Sequence, residues 1–261
     1  MKLYRITAML LNYYYFSINS LDRVFDVLYW PLLDIFIWGF MTYFIQGISE
    51  VNILNLILGG LVLWVFIWRA SQDLVVYLME SYWSRSTYHL FTTPIKISEF
   101  VISLCLLGLI RSVLAFGVMS LLSFGLWRFS IFNFNLLHFA LLVAILVLFG
   151  WGIGILISSC IFRFGTRIQV LAWSTIWIVQ PFSCVFYPLE ALPKWAAKIA
   201  VILPTTHVFE QLRASMNGLP LDYGSLLYSF VFVIVFLVLA ALILVKSIRG
   251  AKKAGTFAKP E

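Results

Sequence analysis

Residues 187–220 read YPLEALPKWAAKIAVILPTTHVFEQLRASMNGLP, and this stretch decides what kind of protein the chain can be. Pro188, Pro193, Pro204 and Pro220 cut it into short pieces. Proline is tolerated at a helix start and breaks a helix interior. The spacing therefore predicts one short helix from Pro193 to Ile202 and a second from Thr205 to Asn217, closed by Gly218 as a left-handed cap. Neither piece reaches the roughly 20 apolar residues a bilayer crossing needs, and both are too apolar for water. The stretch is expected to fold as a re-entrant helical hairpin, 187–220, dipping into one membrane face and leaning on spanning helices. Broken backbone is tolerated at that depth only when protein covers it.

The rest of the chain supplies those helices. Of 261 residues, 62% are hydrophobic and 11% charged, and the mean hydropathy is +0.99. A soluble domain of this length could not hide so much apolar surface, so lipid must solvate most of it. Six spans are predicted at about 27–46, 52–78, 98–126, 134–160, 168–187 and 223–247. Before them, Leu3, Ile6, Met9, Leu10, Tyr13, Phe16 and Leu21 recur at spacings of three to five, with Lys2, Arg5, Asn12, Asn19 and Arg23 on other faces. That pattern describes an amphipathic helix lying in the interface over residues 1–24. It is not expected to be a cleaved signal, because Asn12 interrupts its apolar run and no small-x-small site follows. The fold class expected is thus an all-α integral membrane protein.

Charge sets the orientation. With both termini on one side, that side carries Lys2, Arg5, Arg23, Arg69, Arg85, Lys96, Arg163, Arg167, Lys246, Arg249, Lys252, Lys253 and Lys259. The other side carries Arg128, Lys194, Lys198 and Arg213. The positive-inside rule then puts both ends in the cytoplasm and the hairpin outside. The net charge of +7 lies at segment ends, not in a patch interleaved with exposed aromatics, so no nucleic-acid partner is expected.

Soluble-type chemistry is not legible. No lysine follows a glycine, so no phosphate-cradling loop exists in this chain. His89, His138 and His207 are too scattered for one metal site, and Cys105, Cys160 and Cys184 read as small buried hydrophobes. Gly150, Gly154 and Ser158 form a small-residue ridge suited to close helix packing. Arg69 and Asp73, four apart, are expected to pair where the second span enters the interface. Arg111 lies inside the third span, where it either snorkels to the cytoplasmic face or pairs with Asp34 of the first span. Glu210 and Arg213 share a helical face on the hairpin, with His207 one turn before them.

The connection at 79–98, MESYWSRSTYHLFTTPIKIS, is the longest on the cytoplasmic side. Glu80 to Phe91 can form a short amphipathic helix that Pro94 stops, and Ser98 suits the N-cap of the next span. Here TTPIKISEF at 92–100 resembles the segment after the coupling helix in permeases of type-2 ABC exporters. YPLEALPKW at 187–195 and LPTTHVFEQLR at 203–213 resemble the Pro-rich signature before that family's last span. The resemblance covers essentially the whole chain and implies a membrane subunit that works as a homodimer or heterodimer. A separate ATP-binding subunit would hold ATP and Mg, so this chain would carry no cofactor and be no enzyme. The resemblance places Glu80, Arg85, His89, Thr93 and Pro94 at the surface facing that subunit. Their own positions make Glu190, His207, Glu210 and Arg213 candidates for an outer gate, and Asp34 with Arg111 a candidate intramembrane charge pair. The resemblance also implies a multi-pass protein of the cell inner (plasma) membrane. The cargo stays open among drugs, lipids, glycans and peptides. A non-transporting scaffold and an intramembrane lipid-modifying enzyme are the rival readings.

Overall fold

The structure, a computed structural model, describes residues 2–46, 53–83, 93, 95–129, 131 and 136–254. Helices α1 (Leu3–Asn19), α2 (Leu21–Gln46), α3 (Ile53–Trp83), α4 (Ile97–Trp127) and α5 (Leu136–Phe164) come first. A 3-10 turn, Gly165–Ile168, leads into α6 (Val170–Phe182), and another, Leu189–Ala191, into α7 (Lys194–Ala200). The chain ends with α8 (Pro204–Met216) and α9 (Tyr223–Ala254). No strand occurs among the described residues.

Five of these helices, α2, α3, α4, α5 and α9, are long and apolar enough to cross a membrane. Helix α3 is the axis of the bundle: 78% of its most apolar window is buried, against 17% for α2. It packs on α2, α4, α5, α6 and α8, while α9 lies along α5. The small ridge explains how α5 comes so close. A Cβ on Gly150 would stand 2.7 Å from the Ile67 carbonyl oxygen, and one on Gly154 would stand 2.9 Å from that of Ser71. Only a hydrogen in place of a side chain lets the two backbones meet there.

The predicted fifth crossing, 168–187, is helical only from Val170 to Phe182. Thirteen residues rise about 20 Å, short of the ~30 Å hydrocarbon core. Hydropathy continues past Phe182 but the helix does not, because other elements capture the next residues' backbone, as described below. Boundaries differ elsewhere too. Helix α2 starts at Leu21 instead of residue 27, and α3 continues to Trp83, so Glu80 belongs to the helix and not to a connector.

The position ahead of α4 also departs from expectation. Lys96, not Ser98, occupies the N-cap. Glu99, completely buried, folds back to accept the Lys96 backbone N–H at 3.0 Å. The same carboxylate accepts the Lys2 backbone N–H at 2.9 Å and pairs with Arg5 at 3.3 Å. Ile6, Met9 and Tyr13 are the buried residues of α1, which packs against α4 and α2. Glu99 is therefore the polar pin of the N-terminal helix. Glu99→Ala takes the shared acceptor from the Lys2 and Lys96 N–H groups and from Arg5, and is expected to cost about 1–3 kcal/mol. Amide exchange should report the loss over residues 3–19 while α3 and α5 keep their protection.

Candidate functional site

An ionic cluster joins α1, α2, α3 and α4. Spacings of three and four put its members on single helix faces: Arg69, Asp73 and Tyr77 on α3, and Arg23 and Asp26 on α2. Arg69 Nη1 lies 2.6 Å from Asp26 Oδ2 and 3.7 Å from Asp73 Oδ1; its Nη2 donates to the Asp26 carbonyl oxygen. Arg111, from α4, reaches Asp26 Oδ2 at 3.1 Å and Asp73 Oδ2 at 3.3 Å. It also donates to the Tyr77 hydroxyl at 2.6 Å and the Arg23 carbonyl oxygen at 3.2 Å. The Tyr77 hydroxyl in turn hydrogen-bonds Ser17 of α1, and Arg23 pairs with Glu80.

Arg69, Asp73 and Arg111 are all at most 4% exposed. Charges so deep persist only when paired and hydrogen-bonded. Three arginines face three carboxylates here, so the cluster is electrically balanced. Its chemistry is cohesive: Arg111 and Asp26 each contact two other helices, which makes the group a four-helix clamp.

Two expectations change in consequence. Arg111 does not snorkel; it is buried, and its aspartate on α2 is Asp26, not Asp34 two turns further along. Arg69 and Asp73 do pair, but inside a helix that continues beyond both of them to Trp83. Asp26 and Tyr77 were not singled out from the sequence. The available signal was the i, i+4, i+8 array Arg69, Asp73, Tyr77 beside an i, i+3 pair, Arg23 and Asp26.

Of the residues expected to face a partner, Glu80 is engaged by Arg23 and Thr93 is exposed. Arg85, His89 and Pro94 lie outside the described residues. On the hairpin, the expected helices form as α7 and α8. Gly218 takes φ +70, the Gly218 N–H donates to Ser215 at 3.1 Å, and the Leu219 N–H donates to Ala214 at 2.9 Å. This is the double backbone bond of a left-handed helix cap.

Helix α8 also clasps the chain that precedes it. Glu210 and Arg213 pair at 2.8 Å. Glu210 Oε1 accepts the Leu189 N–H at 2.7 Å, and Arg213 donates to the Cys184 carbonyl at 2.8 Å. Thr205 donates to the Ser183 hydroxyl at 2.8 Å and Thr206 to the Phe182 carbonyl at 3.0 Å. On the far side Gly60 makes room: a Cβ there would lie 2.4 Å from the Val185 oxygen. Residues 183–189 thus form a strap tied to α8 through Ser183, Cys184 and Leu189. Glu190 stands exposed on its 3-10 turn, and the His207 ring contacts the Val201 carbonyl at 2.9 Å. At the start of α9, the Ser225 hydroxyl and the Gly224 N–H donate to the Asp222 carboxylate and hold it below its usual range.

Compared with protein-family profiles, the chain matches ABC-2 type transporter over residues 15–217. A comparison with curated proteins finds no match.

Proposed function

This chain belongs to the ABC-2 type transporter family, and on that premise we propose that it forms, as a dimer, the substrate pathway of an ATP-driven exporter. It is a multi-pass permease subunit; the division of labour beyond that is our reading. A separate ATP-binding subunit supplies the energy and holds ATP and Mg. That subunit grips the connection between α3 and α4, with Arg85 and His89 in the contact and Glu80, Thr93 and Pro94 at its edges. Closure of the ATP-binding pair pushes α3 and α4, a rigid-body switch between two arrangements. Both termini lie in the cytoplasm of a plasma-membrane protein, α1 lies in the inner interface, and the α7–α8 hairpin re-enters from outside as the outer gate. Helix α6 with the strap makes the remaining passage, giving six in all.

The observation that carries this reading is the family match, which runs from within α1 to the end of α8. It takes in the ionic clamp, the α3–α4 connection and the strap together. The clamp supports it further, since a push on the α3–α4 connection would be carried into α1 and α2 without slack.

The test is to co-purify the chain with an ATP-binding subunit and reconstitute the complex in liposomes. Arg85→Asp/His89→Asp should keep ATP hydrolysis by the partner and lose transport. Transport by that double variant at the wild-type rate per ATP would remove these residues from the contact. Failure of any ATP-binding subunit to associate would remove the exporter reading itself.

A further inference from the structure

Asp34 is the carboxylate that the clamp leaves over. Arg23, Arg69 and Arg111 are matched by Glu80, Asp26 and Asp73. Among the described residues Asp34 makes no hydrogen bond and no ion pair, and Arg69 pairs instead with Asp26 and Asp73. Asp34 sits about 20 Å along the helix, near the middle of Leu21–Ile45, which is long and apolar enough to cross a membrane. An intramembrane carboxylate without a partner is costly, and such groups mark pathways for ions or charged cargo.

Its surroundings suit one kind of ligand. Trp30 and Trp38 lie one helical turn before and after Asp34, on the same face. Trp30 is 45% exposed, and Asp34 is partly buried on the least covered of the spanning helices. Trp38 is held by the strap, its ring stacked on Phe186 at 4.0 Å. A carboxylate in an apolar span, with an indole one turn to either side and one of the two exposed, is an arrangement that attracts an organic cation.

We propose that Asp34, with Trp30 and Trp38, binds the cationic headgroup of an amphiphilic cargo. The cargo class is then an ammonium- or guanidinium-bearing amphiphile whose tail stays in the apolar layer. This rests on the exporter reading for its purpose, though not for the binding itself. A proton is the rival occupant of the carboxylate, and the probes separate the two.

Two measurements test the proposal. In the first, decyltrimethylammonium is titrated into the purified chain, with decyl glucoside as the neutral chain-matched control, and tryptophan fluorescence is followed. The wild type should bind the cation more tightly than the control. Asp34→Asn should weaken that binding by about tenfold or more, and Asp34→Glu should largely restore it. In the second, the same two probes are tested for stimulation of ATP hydrolysis in the reconstituted complex. Cation-selective stimulation should disappear in Asp34→Asn, with the hydrolysis seen without probe unchanged. Equal binding of both probes, or a cation response that survives Asp34→Asn, overturns the proposal and would leave the carboxyl as a proton carrier only. Cation-selective binding without any ATP-driven response would sustain the site and count against the exporter reading. Asp34→Asn protein must keep the wild-type melting temperature; if it does not, Asp34→Glu with Trp30→Leu decides the matter.

Discussion

Arg111→Met is expected to destabilise the purified protein by about 3–5 kcal/mol, a fall of roughly 10 °C in Tm. Methionine keeps much of the length and apolar volume of the side chain, so packing is nearly preserved and the loss is electrostatic. Asp73, 2% exposed, would retain only Arg69, at 3.7 Å, and Asp26 would lose one of its two arginines. The Tyr77 hydroxyl would lose its strongest donor and keep Ser17. Removing one member of a buried pair leaves an uncompensated charge, which is why the single change costs more than the pair contributes. The double variant Arg111→Met/Asp73→Asn should therefore be more stable than Arg111→Met alone. A surface pair would show the opposite economy, with each single change within a few tenths of a kcal/mol. Thermal melts in detergent, followed by intrinsic fluorescence, decide it. An unchanged Tm for Arg111→Met would mean the guanidinium is solvated and the clamp is not one.

What could be read from the sequence was mostly local. Pro204 at a helix start, Gly218 at a helix end and the Gly150–Gly154 ridge obey rules that operate within one or two turns, and each takes its expected place. The hairpin helices follow from the same prolines. The clamp could not be assembled this way. Whether Arg111 meets Asp26 or Asp34 depends on how deep α4 sits beside α2, and no spacing within either helix encodes that offset. Hydropathy likewise drew a crossing through residue 187. It cannot see that Cys184 turns to φ 55, nor that Thr206 and Arg213, more than twenty residues downstream, hold the Phe182 and Cys184 carbonyls. Asp34 was marked as an intramembrane charge from its position. What the sequence withheld was that its expected partner is occupied elsewhere.

Gly60→Val is expected to release the strap while leaving the bundle folded. Gly60 faces the Val185 carbonyl oxygen, and a Cβ at 2.4 Å from it must push one backbone away from the other. Helix α3 is the central element and cannot retreat, whereas residues 183–189 hang from α8 by side-chain hydrogen bonds. Overpacking of this kind costs about 1–3 kcal/mol, enough to offset two or three of those bonds at roughly 1 kcal/mol each. Displacement of the strap has a specific reporter. Cys184 is fully buried with φ 55, and its carbonyl is held by Arg213. With Cys105 and Cys160 replaced by alanine, the wild-type Cys184 should resist a maleimide for as long as the fold lasts. In Gly60→Val it should label at least tenfold faster, about the ratio that 1.4 kcal/mol of local opening produces. Arg213→Met should raise labelling by the same route, because it removes the clasp from the other side. Combining the two should add little, since one opening already exposes the thiol. Were Gly60→Val to leave Cys184 protected, α3 and the strap would not be in the contact that ends α6 at Phe182. The hairpin would then be held in place by the packing of α8 on α3, α5 and α9 without the strap.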